Sequence, residues 1–156
     1  MLHAAEQTGG RKANNTSLVL RVTNGEKGLA LLPADAEMPL IRGLLASECD
    51  LGAEVLLLPH HGSRSSLSRE LYRQVQPRLA VASCGYLNHF HFPHPEVREA
   101  LQEKDIPLLT TAQEGSIRVS WQGPELEMEV EVEIEKGMDD TLWGNRKETA
   151  SRESTR

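Results

Sequence analysis

The sequence contains only two cysteines, Cys49 and Cys84, and no CxxC pair. A disulfide scaffold and a thiolate zinc knuckle are thereby excluded, and one bridge at most is possible. No run of 18 apolar residues occurs, so no segment reads as a membrane-spanning helix. The opening Met1-Leu2-His3-Ala4-Ala5-Glu6-Gln7 also lacks the basic-then-apolar plan of a signal peptide, and the chain as given reads as soluble. Basic residues are in deficit: 17 Lys plus Arg face 23 Asp plus Glu, a formal net charge of −6. That balance excludes a globally basic glove for nucleic acid. It is unevenly spread, however, because residues 1–124 hold 12 basic against 13 acidic side chains and are nearly neutral. The acid is concentrated in 125–136, which leaves metals free to offset phosphate charge elsewhere.

What is present suits one compact core: 156 residues, of which 38% are hydrophobic and 26% charged. Residues 1–15 read as an irregular lead-in. Thr16 to Thr23 is apolar and β-branched and is followed by Asn24-Gly25, the dipeptide best suited to the positive φ angles of a hairpin turn. Gly28 to Leu32 supplies the returning strand, and Asp35 stands just past its end. Leu40, Ile41, Leu44 and Leu45 share helical spacing within Glu37 to Glu48. Glu54 to Leu58 fits a strand buried on both faces and runs directly into Pro59-His60-His61-Gly62-Ser63.

Further along, the pattern predicts a helix over about Ser66 to Val75, a buried strand over Arg78 to Ser83, and a helix from Pro95 to about Glu103. Leu108 to Thr110 and Ser116 to Trp121 continue the alternation, and Glu125 to Glu135 alternates strictly between apolar residues and six glutamates as a half-exposed strand. Residues 137–156 read as a disordered tail. Strands alternating with helices indicate an α/β layer arrangement.

Five of the six histidines, His60, His61, His89, His91 and His94, fall in loops that follow core strands. Imidazole is the commonest transition-metal ligand, and a carboxylate such as Asp35 on a neighbouring strand end completes or bridges such a site. Surface decoration is the plainer account of a His-His pair, and a turn or cap residue the plainer account of Asp35. Gly62 allows close backbone approach, while Ser63, Ser65 and Ser66 lead towards a helix whose first amides could receive a phosphate, or simply cap it. His94-Pro95-Glu96 likewise reads as an N-cap, a first-turn proline and a dipole-compatible acid. Cys84 reads as an inert buried thiol. Phe90 and Phe92 are core plugs or base-stacking rings.

In order, Asn14-Asn15-Thr16-Ser17-Leu18-Val19-Leu20-Arg21, Pro33-Ala34-Asp35-Ala36-Glu37, Leu58-Pro59-His60-His61-Gly62-Ser63, Ser83-Cys84-Gly85 with Asn88, and Phe92-Pro93-His94-Pro95-Glu96-Val97 resemble one family. It is the C-terminal metallo-β-lactamase-like domain of the competence DNA-uptake channel proteins, the ComEC family. The resemblance implies a four-layer α/β/β/α sandwich with one or two divalent ions, Zn or Mn. It also implies metal-assisted hydrolysis of DNA, at the bacterial inner membrane but outside the bilayer. By position, Asp35 matches the family's metal-bridging aspartate, and His60 or His61 its last histidine ligand. His60 is favoured because related hydrolases place a His-x-Gly at that strand end. His61 and His94 are then assigned to catalysis, and Ser63, Ser65 and Asn88 to substrate phosphate.

Three departures accompany the resemblance. The His-x-Asp-x-Asp-His motif is absent, so residues 16–136 are expected to be the second half of the domain, completed by an N-terminal half and a membrane channel part. Ala34 stands where the family usually has glycine, which matters if that position needs positive φ. Phe92 stands where a histidine is frequent. The leading expectation is a catalytically incomplete piece of a DNA-uptake nuclease-like domain. The alternative is a non-catalytic remnant acting as a binding or channel-associated module.

Overall fold

The computed structural model describes residues 13–123 and 127–133. The lead-in before Ala13, the tail over 137–156, and Leu126 and Ile134 of the alternating strand lie outside the described residues.

Asn24-Gly25 forms the expected hairpin, with Gly25 at φ 63° joining β1 (Leu20–Asn24) to β2 (Lys27–Leu32) in antiparallel register. The first strand begins later than its β-branched residues suggest. Thr16 and Ser17 spend their hydroxyls on the carbonyls of Ala13 and Asn14, at 2.7 and 2.8 Å, holding a 3-10 turn over Ala13–Thr16.

β3 (Val55–Leu57), β4 (Leu79–Ala82) and β5 (Leu108–Thr110) then add in parallel, giving the sheet order β1-β2-β3-β4-β5. The crossovers run through α1 (Met38–Ala46), α2 (Arg69–Val75) and α3 (Pro95–Gln102). A short α4 (Thr111–Glu114) leads into the antiparallel pair β6 (Ser116–Gln122) and β7 (Glu127–Glu133).

Side chains alternate between the two faces of the main sheet, so each strand contributes to two cores. Leu31, Leu56, Ala80 and Ala82 pack with Ile41 of α1, Leu71, Tyr72 and Val75 of α2, and Val97, Ala100 and Leu101 of α3. Ala30, Val55, Leu79 and Val81 face the other way, onto Ile117, Val119 and Trp121 of β6 and Met128 of β7. The order is helices, five-stranded sheet, two-stranded sheet, an α/β arrangement. Among the described residues no second helical layer covers β6 and β7.

The structure corrects two readings of the sequence. The serines after Gly62 do not open α2: Arg64–Ser66 is a separate 3-10 turn, and α2 starts after Ser68, whose hydroxyl accepts from the Leu71 amide at 3.2 Å. The phosphate-receiving helix N-terminus expected there is therefore displaced from the histidines. The apolar side of β7 is also more open than a half-exposed strand implies, Val130 and Val132 being 39% and 47% exposed.

Candidate functional site

Two loops leave the same edge of the parallel sheet: the one after β2, carrying Pro33 to Glu37, and the one after β3, carrying Pro59 to Ser63. This is where open α/β sheets present functional side chains. The loops are joined by the His60 amide, which donates to the Ala34 carbonyl at 2.9 Å. Ala34, His60 and His61 all hold left-handed backbone, with φ of 49°, 48° and 58°. Non-glycine residues rarely do so, and such strain clusters at functional sites.

The result is a facing pair, with Nε2 of His61 3.5 Å from Oδ1 of Asp35 and both side chains about half exposed. Nδ1 of His61 lies 2.7 Å from the carbonyl oxygen of Ser83 at the end of β4. A carbonyl only accepts, so Nδ1 carries the hydrogen, and in the neutral ring Nε2 keeps its lone pair towards Asp35. With Nε2 unprotonated, two acceptors face one another across that gap. A zinc ion at 2.0–2.2 Å from each of two tetrahedral donors spaces them about 3.4 Å apart. The pair fits a divalent ion, and the bond from Nδ1 to a backbone carbonyl is the usual support of a metal-ligating imidazole.

His60 is placed differently. Its Nδ1 lies 3.5 Å from Oε1 of Glu37 and 3.3 Å from the hydroxyl of Ser65. Glu37 is buried at the start of α1 and also accepts from the Asn14 side chain at 3.2 Å. Ser63 is buried, and its hydroxyl accepts from the Ser65 amide at 3.2 Å, continuing a polar chain of Ser63, Ser65, His60 and Glu37. Ser65 itself is exposed. The ring that faces Asp35 is accordingly His61 rather than His60.

The remaining expected residues fall around this pair without joining it. His94 caps α3, its Nδ1 accepting from the Glu96 amide at 3.3 Å. Asn88 organises its own loop: its amide donates to the carbonyls of Gly85 and Phe92 at 3.1 and 3.0 Å, and its side-chain oxygen accepts from the Phe92 amide at 2.7 Å. Cys84 is pinned by Thr111, whose hydroxyl accepts from its amide and donates to its carbonyl, both at 2.9 Å. Burial pushes the Cys84 thiol up, as an inert thiol requires. His89 and His91 are exposed on the loop surface. Among the described residues no three His, Cys, Asp or Glu side chains converge as a metal-binding group.

Between the loops after β3 and β4 lies a cavity of about 710 Å³, lined among others by His60, His61, Asn88, Phe90 and Phe92. Gly62 packs against the aromatic loop. At φ 82° its hydrogen faces Pro93, where a Cβ would sit 2.7 Å from the proline Cβ. The Gly62 carbonyl accepts from the His94 amide at 2.9 Å. Sequence reasoning passed over Glu37 and the Ser83 carbonyl. Glu37 looks like an ordinary helix-start acid, and a backbone carbonyl leaves no signature in a sequence.

Much of the chain matches curated relatives. ComE operon protein 3 of Bacillus subtilis (strain 168) is 37% identical over 106 residues, 67% of this chain and 13% of that protein. Recombination protein 2 of Haemophilus influenzae is 36% identical over 120 residues, 76% of this chain and 15% of that protein. Competence protein ComA of Neisseria gonorrhoeae is 35% identical over 106 residues, 67% of this chain and 15% of that protein. The chain is a relative of competence proteins. It spans about 15% or less of the length of each of these three relatives. No protein-family model matches it. Among the described residues of this competence relative, no helix is long and apolar enough to cross a membrane.

Proposed function

We propose that this chain is part of a metallo-β-lactamase-like domain that hydrolyses DNA phosphodiesters during DNA uptake, with Asp35 and His61 among its divalent-metal ligands. The observation that carries the reading is the 3.5 Å approach of Oδ1 of Asp35 and Nε2 of His61 across the ends of adjacent parallel strands. The names of the relatives supply the setting of DNA uptake. When bound, a divalent ion would supply Lewis-acid stabilisation of phosphate charge.

The chain's own residues do the positioning. Ser83 fixes the tautomer of His61 through its carbonyl, and Glu37 with Ser65 holds the His60 ring beside it. Exposed Ser65 would offer its hydroxyl to a phosphate oxygen. With two donors facing one another, the remaining ligands would come from other parts of a protein of the relatives' length.

The test is cleavage of a labelled oligonucleotide in Mn²⁺ by a protein that spans the relatives' length, compared with its Asp35→Asn and His61→Ala forms. Loss of a ligand should reduce cleavage by at least about a hundredfold. Cleavage that survives both substitutions would refute the assignment. The second reading, a non-catalytic binding module, is favoured by the two-donor limit among the described residues. It predicts tight DNA binding with no metal-dependent cleavage.

A further inference from the structure

The loop between β4 and α3 carries an arrangement that the metal pair does not explain. Phe90 stacks on Phe92 with ring centroids 5.3 Å apart and planes 17° from parallel. Phe92 in turn stacks on His61, at 6.3 Å and 20°. The three rings form a ladder that ends at the imidazole facing Asp35. Its outer member, Phe90, remains 71% exposed although one face is against Phe92. A single exposed aromatic ring is unremarkable, but a near-parallel series leading to a candidate reaction centre is not random packing. The ladder is also held in place, because the three side-chain hydrogen bonds of Asn88 fix the loop at Gly85 and Phe92.

We propose that the ladder Phe90, Phe92 and His61 is a stacking platform for unpaired bases of single-stranded DNA. The inference rests on the reading of the site as a DNA-hydrolysing one and names the form of DNA that it takes. A flat, open ring face matches a base taken out of a duplex, whereas base pairs in a duplex have their faces covered by neighbours. The loop is not basic: it holds no Lys or Arg between Ser83 and His94, and residues 1–124 are nearly neutral. Affinity should therefore come mainly from ring faces and respond weakly to salt, unlike that of a phosphate-tracking groove. Parallel rings also favour a planar partner over the disordered acyl chains of a lipid surface, for which the neighbouring exposed Leu87 would be the other candidate contact.

The experiment is fluorescence anisotropy of a labelled mixed-sequence 12-nucleotide strand with the full chain in EDTA, where no hydrolysis occurs. Phe90→Leu keeps the apolar bulk and removes the π face, and Phe90→Trp restores one. The expected result is a roughly tenfold weaker affinity for Phe90→Leu and recovery in Phe90→Trp. A duplex of equal length, or an abasic strand with the same phosphates, should also bind at least tenfold more weakly. Equal binding of the abasic strand, no effect of Phe90→Leu, or capture by phosphatidylglycerol vesicles without any binding of the strand would each overturn the proposal. Binding in EDTA that depends on bases, from a protein that never cleaves DNA with Mn²⁺, would keep the platform and remove the hydrolytic reading. Metal-dependent cleavage with none of these base effects would do the reverse.

Discussion

The backbone amide of His60 donates to the carbonyl of Ala34 at 2.9 Å, and both residues occupy left-handed backbone, at φ 48° and 49°. This one bond ties the loop after β2 to the loop after β3, and the residues that follow, Asp35 and His61, are the two that face each other. The geometry of the pair is thus set by strained backbone on both sides. A left-handed L-residue costs about 1–2 kcal/mol, which the surrounding packing must offset.

Ala34 is the place to test that strain. Ala34→Gly removes the Cβ cost, about 1–2 kcal/mol, and adds back about 0.4–1 kcal/mol of unfolded-state freedom. Thermal denaturation should show an unchanged Tm or a rise of up to about 3 °C. Ala34→Val, β-branched at the same φ, should lower Tm by about 5 °C or more. The opposite ordering of the two variants would show that the turn is not strained.

Gly62 fixes the distance between the histidine loop and the aromatic loop. An added methyl group would meet Pro93 Cβ at 2.7 Å and Pro93 Cα at 3.1 Å, at a backbone φ of 82°. Gly62→Ala should therefore cost about 2–3 kcal/mol in urea denaturation. A loss under about 0.5 kcal/mol would mean that the two loops separate freely.

Glu54 joins the two sheets. Its Oε2 accepts from the Trp121 indole at 2.6 Å, and Oε1 meets Lys27 at 3.3 Å and Arg78 at 3.2 Å. Partial burial pushes its pKa up, but hydrogen bonds from Trp121, Arg78 and Lys27, with the Lys27 charge, outweigh that. The carboxyl is held below its usual 4.5. A folded pKa below the unfolded one contributes stability that is complete above about pH 4.5 and is lost as pH falls through the folded value. Glu54→Gln should cost about 1–3 kcal/mol at pH 7 and flatten the acid limb of the stability curve. In a Trp143→Phe background, Trp121 emission should shift to the red. An acid limb identical to that of the parent would contradict the tether.

The layers were readable from the sequence because periodicity reports burial directly. Leu31 against Ala30, and Leu56 against Val55, alternate as a sheet covered on both faces requires. Asn24-Gly25 marked the hairpin for a local reason, its tolerance of positive φ. Ser63 to Ser66 misled because capping serines look alike wherever a helix begins, and here Ser68 does the capping. Which of His60 and His61 faces Asp35 could not be read from spacing. It depends on the left-handed backbone of both residues and on the Ser83 carbonyl, 22 positions away. Nothing local in the sequence reveals that the side chain of Asn88 bonds back to Gly85 and Phe92 of its own loop.

The most direct test of the metal-pair assignment is an anomalous difference map from crystals of this chain soaked in Zn²⁺ and measured at the zinc edge. The account predicts one peak about 2.1 Å from both Nε2 of His61 and Oδ1 of Asp35, absent in His61→Ala crystals. A peak on His60 and Glu37 instead, or none in the loops after β2 and β3, would contradict it.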